Sequence, residues 1–314
     1  MEEIRYDIKR SRGDIAAERK RRKRIRRKRR LRRLGAAGKL LFLVLLLTAV
    51  WKYLRPVCAW IYHVKTEGVF AAASDILAGD SEADEEDICL VLQNMAKNDS
   101  RAAFLLEHEA EYPREILKLA SENAETLDFA ADYLEKKAVP CTDSIGEVTK
   151  GTIPFLLQWD ERWGYGAYGN GVIGINGCGP TCLAMVAAGL TGDDRLTPAR
   201  VAAFAEENGY YVEGVGTKWT LMSEGAPAFG IQGQEMNPGK DAVMNSLEGG
   251  NPVICSMRPG DFTTTGHFIV LAGTENGKII VYDPNSIERS SRLWDYETLE
   301  YQINNLWKFF LLPL

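Results

Sequence analysis

The sequence predicts an α+β fold for residues 139–314, preceded by a transmembrane helix and a small helical segment. Three observations carry that prediction. Apolar residues recur at helical spacing through 180–190, 198–208 and 241–248. Residues 253–257, 268–272 and 278–282 are short, nearly continuous apolar runs separated by turn-forming residues, as the buried strands of an antiparallel meander would be. Far upstream, an apolar run over 35–54 follows a dense basic block. Helices first and strands after is an α+β order.

The tail, residues 1–34, is the most biased part of the chain. Residues 1–39 hold 18 Lys and Arg against 5 Asp and Glu, although the whole protein carries a net charge of -5. Between Arg19 and Arg33 only Ile25 and Leu31 interrupt the positive charge. A nucleic-acid arm has the same composition, but here the apolar run follows directly, and about 20 residues suffice to cross a bilayer. Lys39 and Lys52 can reach headgroups, with Trp51 and Tyr53 at the interface. Bulky Trp51, Lys52, Tyr53 and Leu54 offer no small-residue cleavage site, so 35–54 reads as an uncleaved signal anchor rather than a signal peptide. Positive charge on the N-terminal flank keeps the tail in the cytoplasm, against anionic lipid, and sends the rest across. The expectation is a single-pass membrane protein with its C-terminal domain at the cell surface and no nucleic-acid partner.

Residues 55–87 read as a linker ending in acidic residues at 80, 82 and 84–87, either solvated or a helix N-terminus. Apolar spacing from Leu90, Leu92 and Met95 through Phe104 and Leu105 to Ile116, Leu117 and Leu119 predicts short helices over 88–138, a helical stalk. Breaks are expected at Asn98, Asp99 and Ser100, and at Tyr112 and Pro113. His108 reads as a surface residue. The six cysteines are scattered rather than arranged as a disulfide framework, and no CxxC pair or histidine cluster suggests zinc. No metal or cofactor is expected; the pairing of Cys58, Cys89, Cys141 and Cys255 stays open.

The chemistry concentrates after residue 139, where glycines and aromatics become frequent. Cys178 lies in Gly177-Cys178-Gly179-Pro180-Thr181-Cys182, a glycine turn entering an apolar helix with proline in its first turn. A cysteine there faces unpaired amides and the positive end of the helix dipole, which favour the thiolate, the form that attacks carbonyls. Cys182, one turn deeper, reads as core. The nucleophile needs a base, and His267 is the only histidine in 139–314. The base needs an acceptor for its other ring nitrogen. If 273–277 form a five-residue hairpin loop, Ala272 faces Lys278 and His267 faces Asp283, with Asn285 in reserve. Gln158 is the candidate oxyanion donor, its amide beside the Cys178 backbone N–H. Trp159, Trp163, Tyr165, Tyr168 and Trp219 are cleft candidates, with core packing the simpler role for most.

These residues carry a resemblance. Gln158 with Trp159, Asp160 and Trp163, then Gly177-Cys178-Gly179-Pro180-Thr181, Gly266-His267-Phe268 and Asp283-Pro284 resemble the C-39-like peptidase domain. That papain-like domain is related to the bacteriocin-processing cysteine peptidases that cleave after double-glycine leaders. The resemblance covers residues 152–310 and implies a helix carrying the cysteine and an antiparallel sheet carrying the histidine and aspartate. It also implies Gln158 as oxyanion-hole residue, Cys178 as nucleophile, His267 as general base and acid, and Asp283 as its orienter. Exporters of that group join the domain to a transporter and an ATPase, whereas this sequence has no nucleotide-binding P-loop. The nearer likeness is a stand-alone, membrane-anchored bacterial form. The expected activity is hydrolysis of a peptide or protein substrate by a thiol peptidase. A cell-wall peptide amidase and a non-catalytic peptide-binding module are the alternatives.

Overall fold

Five helices open the part of the chain that the structure, a computed structural model, describes, which is residues 81–312. They are α1 (Ser81–Ala96), α2 (Ser100–Glu107), α3 (Arg114–Glu122), α4 (Leu127–Ala131) and α5 (Tyr133–Lys136). The tail 1–34, the anchor 35–54 and most of the linker lie outside the described residues. Among the described residues no helix is long and apolar enough to cross a membrane.

The expected breaks fall between these helices. Asp99 caps α2, accepting the Arg101 amide at 3.0 Å, and Pro113 stands just before α3. The linker boundary at 87 moves back, because α1 already includes Ser81 and the acidic residues after it; acidic side chains suit a helix N-terminus. Nor is 88–138 a separate stalk. Leu92, Leu105, Ile116, Leu127 and Phe129 are buried in one cluster with Tyr165, against which Trp159, Val172 and Ile175 also pack. The Phe129 ring stacks on Tyr165 at 4.4 Å, and the Tyr165 hydroxyl donates to the Phe129 carbonyl at 3.0 Å. Gly174 leaves the space that ring occupies: a Cβ there would sit 2.5 Å from it. Five short helices cannot enclose their own apolar faces, so they share a core with the domain that follows.

That domain begins with a small hairpin, β1 (Ala167–Tyr168) and β2 (Gly171–Val172), then α6 (Ile173–Asn176), α7 (Cys178–Thr191) and α8 (Pro198–Glu207). Strands β3 (Tyr211–Val212) and β4 (Gly216–Thr217) form a second small hairpin. Next come β5 (Ile231–Glu235), α9 (Lys240–Glu248), β6 (Val253–Met257), β7 (His267–Glu275), β8 (Lys278–Tyr282) and α10 (Ile287–Ser290). β9 (Leu293–Trp294), α11 (Tyr296–Glu300) and β10 (Ile303–Leu311) complete it. The main sheet is antiparallel, in the order β5-β10-β6-β7-β8-β9.

Side-chain alternation divides that sheet between two cores. Ile254, Phe268 and Val270 join the layer of α7 and α8, while Val253, Cys255, Ile269 and Leu271 join that of α9. α7 is apolar all round and buried along most of its length, as a central helix must be. Gly192 ends it in the left-handed conformation, and Thr197 caps α8 by accepting the Arg200 amide.

The expected meander β6-β7-β8 is present, but its second hairpin differs. The loop is two residues, Asn276 and Gly277, both with positive φ (53° and 76°), because Thr274 and Glu275 stay paired. A bulge between Leu271 and Gly273 then shifts the register, so that Val270, rather than the expected Phe268, lies opposite the last residue of β8, Tyr282. β5 and β10, which the sequence did not suggest, extend the sheet on its other side.

Candidate active site

Gly177 and Gly179 fix where Cys178 stands. A Cβ on Gly177 would meet the Ile173 carbonyl oxygen at 2.5 Å, and one on Gly179 would meet the Thr217 side chain at 2.9 Å. Only glycine lets α6, β4 and the start of α7 approach so closely. Cys178 is consequently the first residue of α7, half-buried, with the backbone amides of Gly179 and Phe268 directed at its sulfur.

His267 opens β7, paired with Met257 of β6 and only 9% exposed. Its Nε2 donates to Asp283 Oδ1 at 2.7 Å, and Cys178 is the other group with which the ring interacts. Asp283 itself is 0% exposed. A carboxylate so buried must be paired and hydrogen-bonded on every side. Oδ1 also accepts the Asn285 amide at 2.8 Å, Oδ2 accepts from Arg289 Nε at 2.5 Å, and its own amide donates to Ser290 Oγ at 2.8 Å.

The three groups shift one another. Burial opposes charge on Cys178, but the hydrogen bond and charge of His267, with the two backbone amides, outweigh it, so the thiol titrates below its ordinary value. Burial alone would make His267 less basic; Asp283 and Cys178 reverse this and hold its pKa above the ordinary imidazole value. Asp283, despite burial, is held below the usual carboxylate range by His267 and Arg289. This is the charge pattern of a thiolate beside an imidazolium. Cys182 and Cys255, by contrast, are pushed up by burial and stay neutral.

Residues 150–310 match the model of the Peptidase_C39 like family. The chain belongs to that family. Among solved structures, the peptidase domain of Streptococcus ComA, a bi-functional ABC transporter involved in a quorum sensing pathway, is 21% identical to it. That match covers 44% of this chain and 93% of the other, at a TM-score of 0.34. A C39-like peptidase from Bacillus anthracis is 16% identical, covering 54% of this chain and 99% of its own, also at a TM-score of 0.34. No curated protein matches the chain.

Within this C39-like domain the other sequence-derived candidates separate. Gln158 is 3% exposed, and its backbone amide donates to the Pro284 carbonyl, one residue beyond Asp283. Its side-chain nitrogen donates to the carbonyls of Gly174 (2.9 Å) and Ile175 (3.2 Å), while Oε1 is buried without a partner. The reverse orientation would set an acceptor against two carbonyl oxygens, so both N–H groups of Gln158 are engaged as the structure stands. Asn285 meets Asp283 only through its backbone amide, and its carbonyl accepts from Asn123 and Trp159. Of the aromatic candidates, Trp163, Tyr165 and Tyr168 are core, whereas Trp219 is 43% exposed. Trp219 rests edge-on against Trp307, whose ring also meets Phe268, the residue after His267. Among the described residues no cluster of three or more His, Cys, Asp or Glu is placed to hold a metal ion.

Arg289 and Glu125 are the members of this neighbourhood that the sequence did not suggest. Ser286-x-x-Arg289 is a helix-capping pattern, Ser286 accepting the Arg289 amide at 3.2 Å, and it could have marked α10. Nothing in it specifies which carboxylate the guanidinium meets.

Proposed function

We propose that this protein is a membrane-anchored, outward-facing thiol peptidase that hydrolyses peptide bonds through Cys178, His267 and Asp283. Membership of the Peptidase_C39 like family supports cysteine peptidase activity. The observation that carries the residue roles is the 2.7 Å hydrogen bond to the fully buried Asp283 carboxylate from the His267 ring, whose charge also lowers the Cys178 thiol pKa. The basic tail and the apolar run 35–54 support the anchor and its orientation.

In this reading the Cys178 thiolate attacks the scissile carbonyl carbon, forming a carbon–sulfur bond and an oxyanion. His267, as imidazolium, gives its proton to the leaving amine when the carbon–nitrogen bond breaks, leaving a thioester. Neutral His267 then takes a proton from water, whose oxygen attacks the thioester, and the thiolate leaves. Asp283 fixes the ring and stabilises its charged form. The Cys178 backbone N–H is the first oxyanion donor. Gln158 is the second, and for that role it exchanges its longer bond, to Ile175, for the oxyanion.

An irreversible thiol-directed probe applied to the purified full chain tests the assignment. The expected result is fast labelling in the wild type, none at that site in Cys178→Ala, and slow labelling in His267→Ala. Labelling equally fast in all three removes the reading.

A further inference from the structure

The loop that carries Asp283 is also the loop that the helical segment grips. Glu125, between α3 and α4, points its carboxylate at the start of α10: Oε1 accepts from Ser286 Oγ at 3.1 Å and from the Glu288 amide at 3.0 Å, and Oε2 from the Ile287 amide at 2.5 Å. A second grip lies alongside, where Asn123 Nδ2 donates to the Asn285 carbonyl at 2.6 Å. On its other side α10 holds the carboxylate of the triad. Arg289 meets Asp283 Oδ2, and Ser290 Oγ accepts the Asp283 amide while donating to the Ser286 carbonyl at 2.7 Å.

We propose that Glu125 is a positioning residue of the active site, holding α10 so that Arg289 and Ser290 keep Asp283 against His267. The proposal rests on the reading of Asp283 as the orienter of His267. The amides of Ile287 and Glu288 have no earlier helical turn to pair with, so an acceptor from outside decides where α10 sits. A carboxylate is the strongest acceptor available to them. The helical segment therefore does more than link: it completes the site from the far side of the loop, and a domain cut at residue 139 would lose this support. The titratable and charged groups around Asp283 are His267 on β7, Arg289 on α10 and Cys182 on α7, with Glu125 beyond the start of α10; those around Cys178 are His267, Cys182 and Tyr168 on β1.

The test reads the thiolate of Cys178 in the full chain. Iodoacetamide reacts with the thiolate, forming a sulfur–carbon bond and releasing iodide, and the rate at Cys178 is followed by mass spectrometry across pH. For Glu125→Ala the titration is expected to move up by about one pH unit, about tenfold slower alkylation below the wild-type midpoint. Glu125→Gln, which keeps one acceptor oxygen, falls between. A structural role alone would lower the thermal unfolding midpoint without moving the titration of the folded protein, and that result overturns the proposal. Should Glu125→Ala not fold, Glu125→Gln and Asn123→Ala carry the test, and wild-type curves in both overturn it. Asp283→Ala separates the two levels. If it leaves the titration unmoved, the orienter reading fails; if it moves the titration and the Glu125 variants do not, this proposal alone fails.

Discussion

At the scale of single residues, the proposed chemistry turns on the ordering of two proton affinities. Cys178 is held below the ordinary thiol value and His267 above the ordinary imidazole value, so between them the thiolate–imidazolium pair dominates. Attack requires the thiolate, and amine departure requires the imidazolium. Activity should therefore rise as pH passes upward through the Cys178 pKa and fall as it passes through that of His267. A bell-shaped kcat/KM profile, rising below the ordinary thiol pKa and falling above the ordinary imidazole pKa, is the expected measurement; a single rise near the ordinary thiol pKa would contradict it. In the proposed mechanism Gln158 serves a different step. Gln158→Ala should lower kcat about 100-fold while leaving Cys178 alkylation near wild type, because the amide matters only once an oxyanion forms. Equal losses in both would make Gln158 a packing residue. Cys178 and His267 stood out in the sequence because each is a rare residue in a telling place: a cysteine between glycines at a helix start, and the only histidine of residues 139–314. Arg289 and Glu125 did not, since a surface-type charge gives no sign in the sequence of the buried group it will meet.

At the scale of elements, α7, α8, α9, β6 and β8 were legible to within a few residues, because each is a continuous apolar or amphipathic run. The β7–β8 hairpin was misjudged for a definite reason. Gly273 looked like the start of a loop, but the Asn276-Gly277 pair, the strongest two-residue hairpin signal, sets the turn and leaves Gly273 at a bulge. The contact between His267 and Asp283 was right for another cause: Asp283 lies past the end of β8 and reaches the ring from a turn bridged to Ser286. Gly277 has φ 76° with no atom within 4 Å of an added Cβ, so Gly277→Ala should strain only the backbone. It should cost about 1 kcal/mol in denaturant unfolding with kcat/KM unchanged. β10 escaped notice because two asparagines and a register shift between Ile303 and Asn305 break its alternation at the start.

At the scale of the whole molecule, the described helices and the C39-like domain form one compact unit with a shared buried cluster, where the sequence suggested a stalk beside a domain. Helical spacing showed that the helices exist but not that their apolar faces are completed by Tyr165 and Ile175. Phe129→Ala should therefore destabilise the peptidase domain itself, by about 3–5 kcal/mol, in a single unfolding transition read at Trp163 and Trp307 as well as by helix content. A separate early transition of the helices would contradict the shared core. The central claim, that Cys178 and its partners hydrolyse peptide bonds, is tested most directly by counting newly formed amino termini. A protein mixture is incubated with the full chain, wild type or Cys178→Ala, and analysed by mass spectrometry. The expected result is a set of cleavages made by the wild type and absent with Cys178→Ala; the same cleavages from both proteins, or none from a wild type whose Cys178 still alkylates as a thiolate, would contradict it.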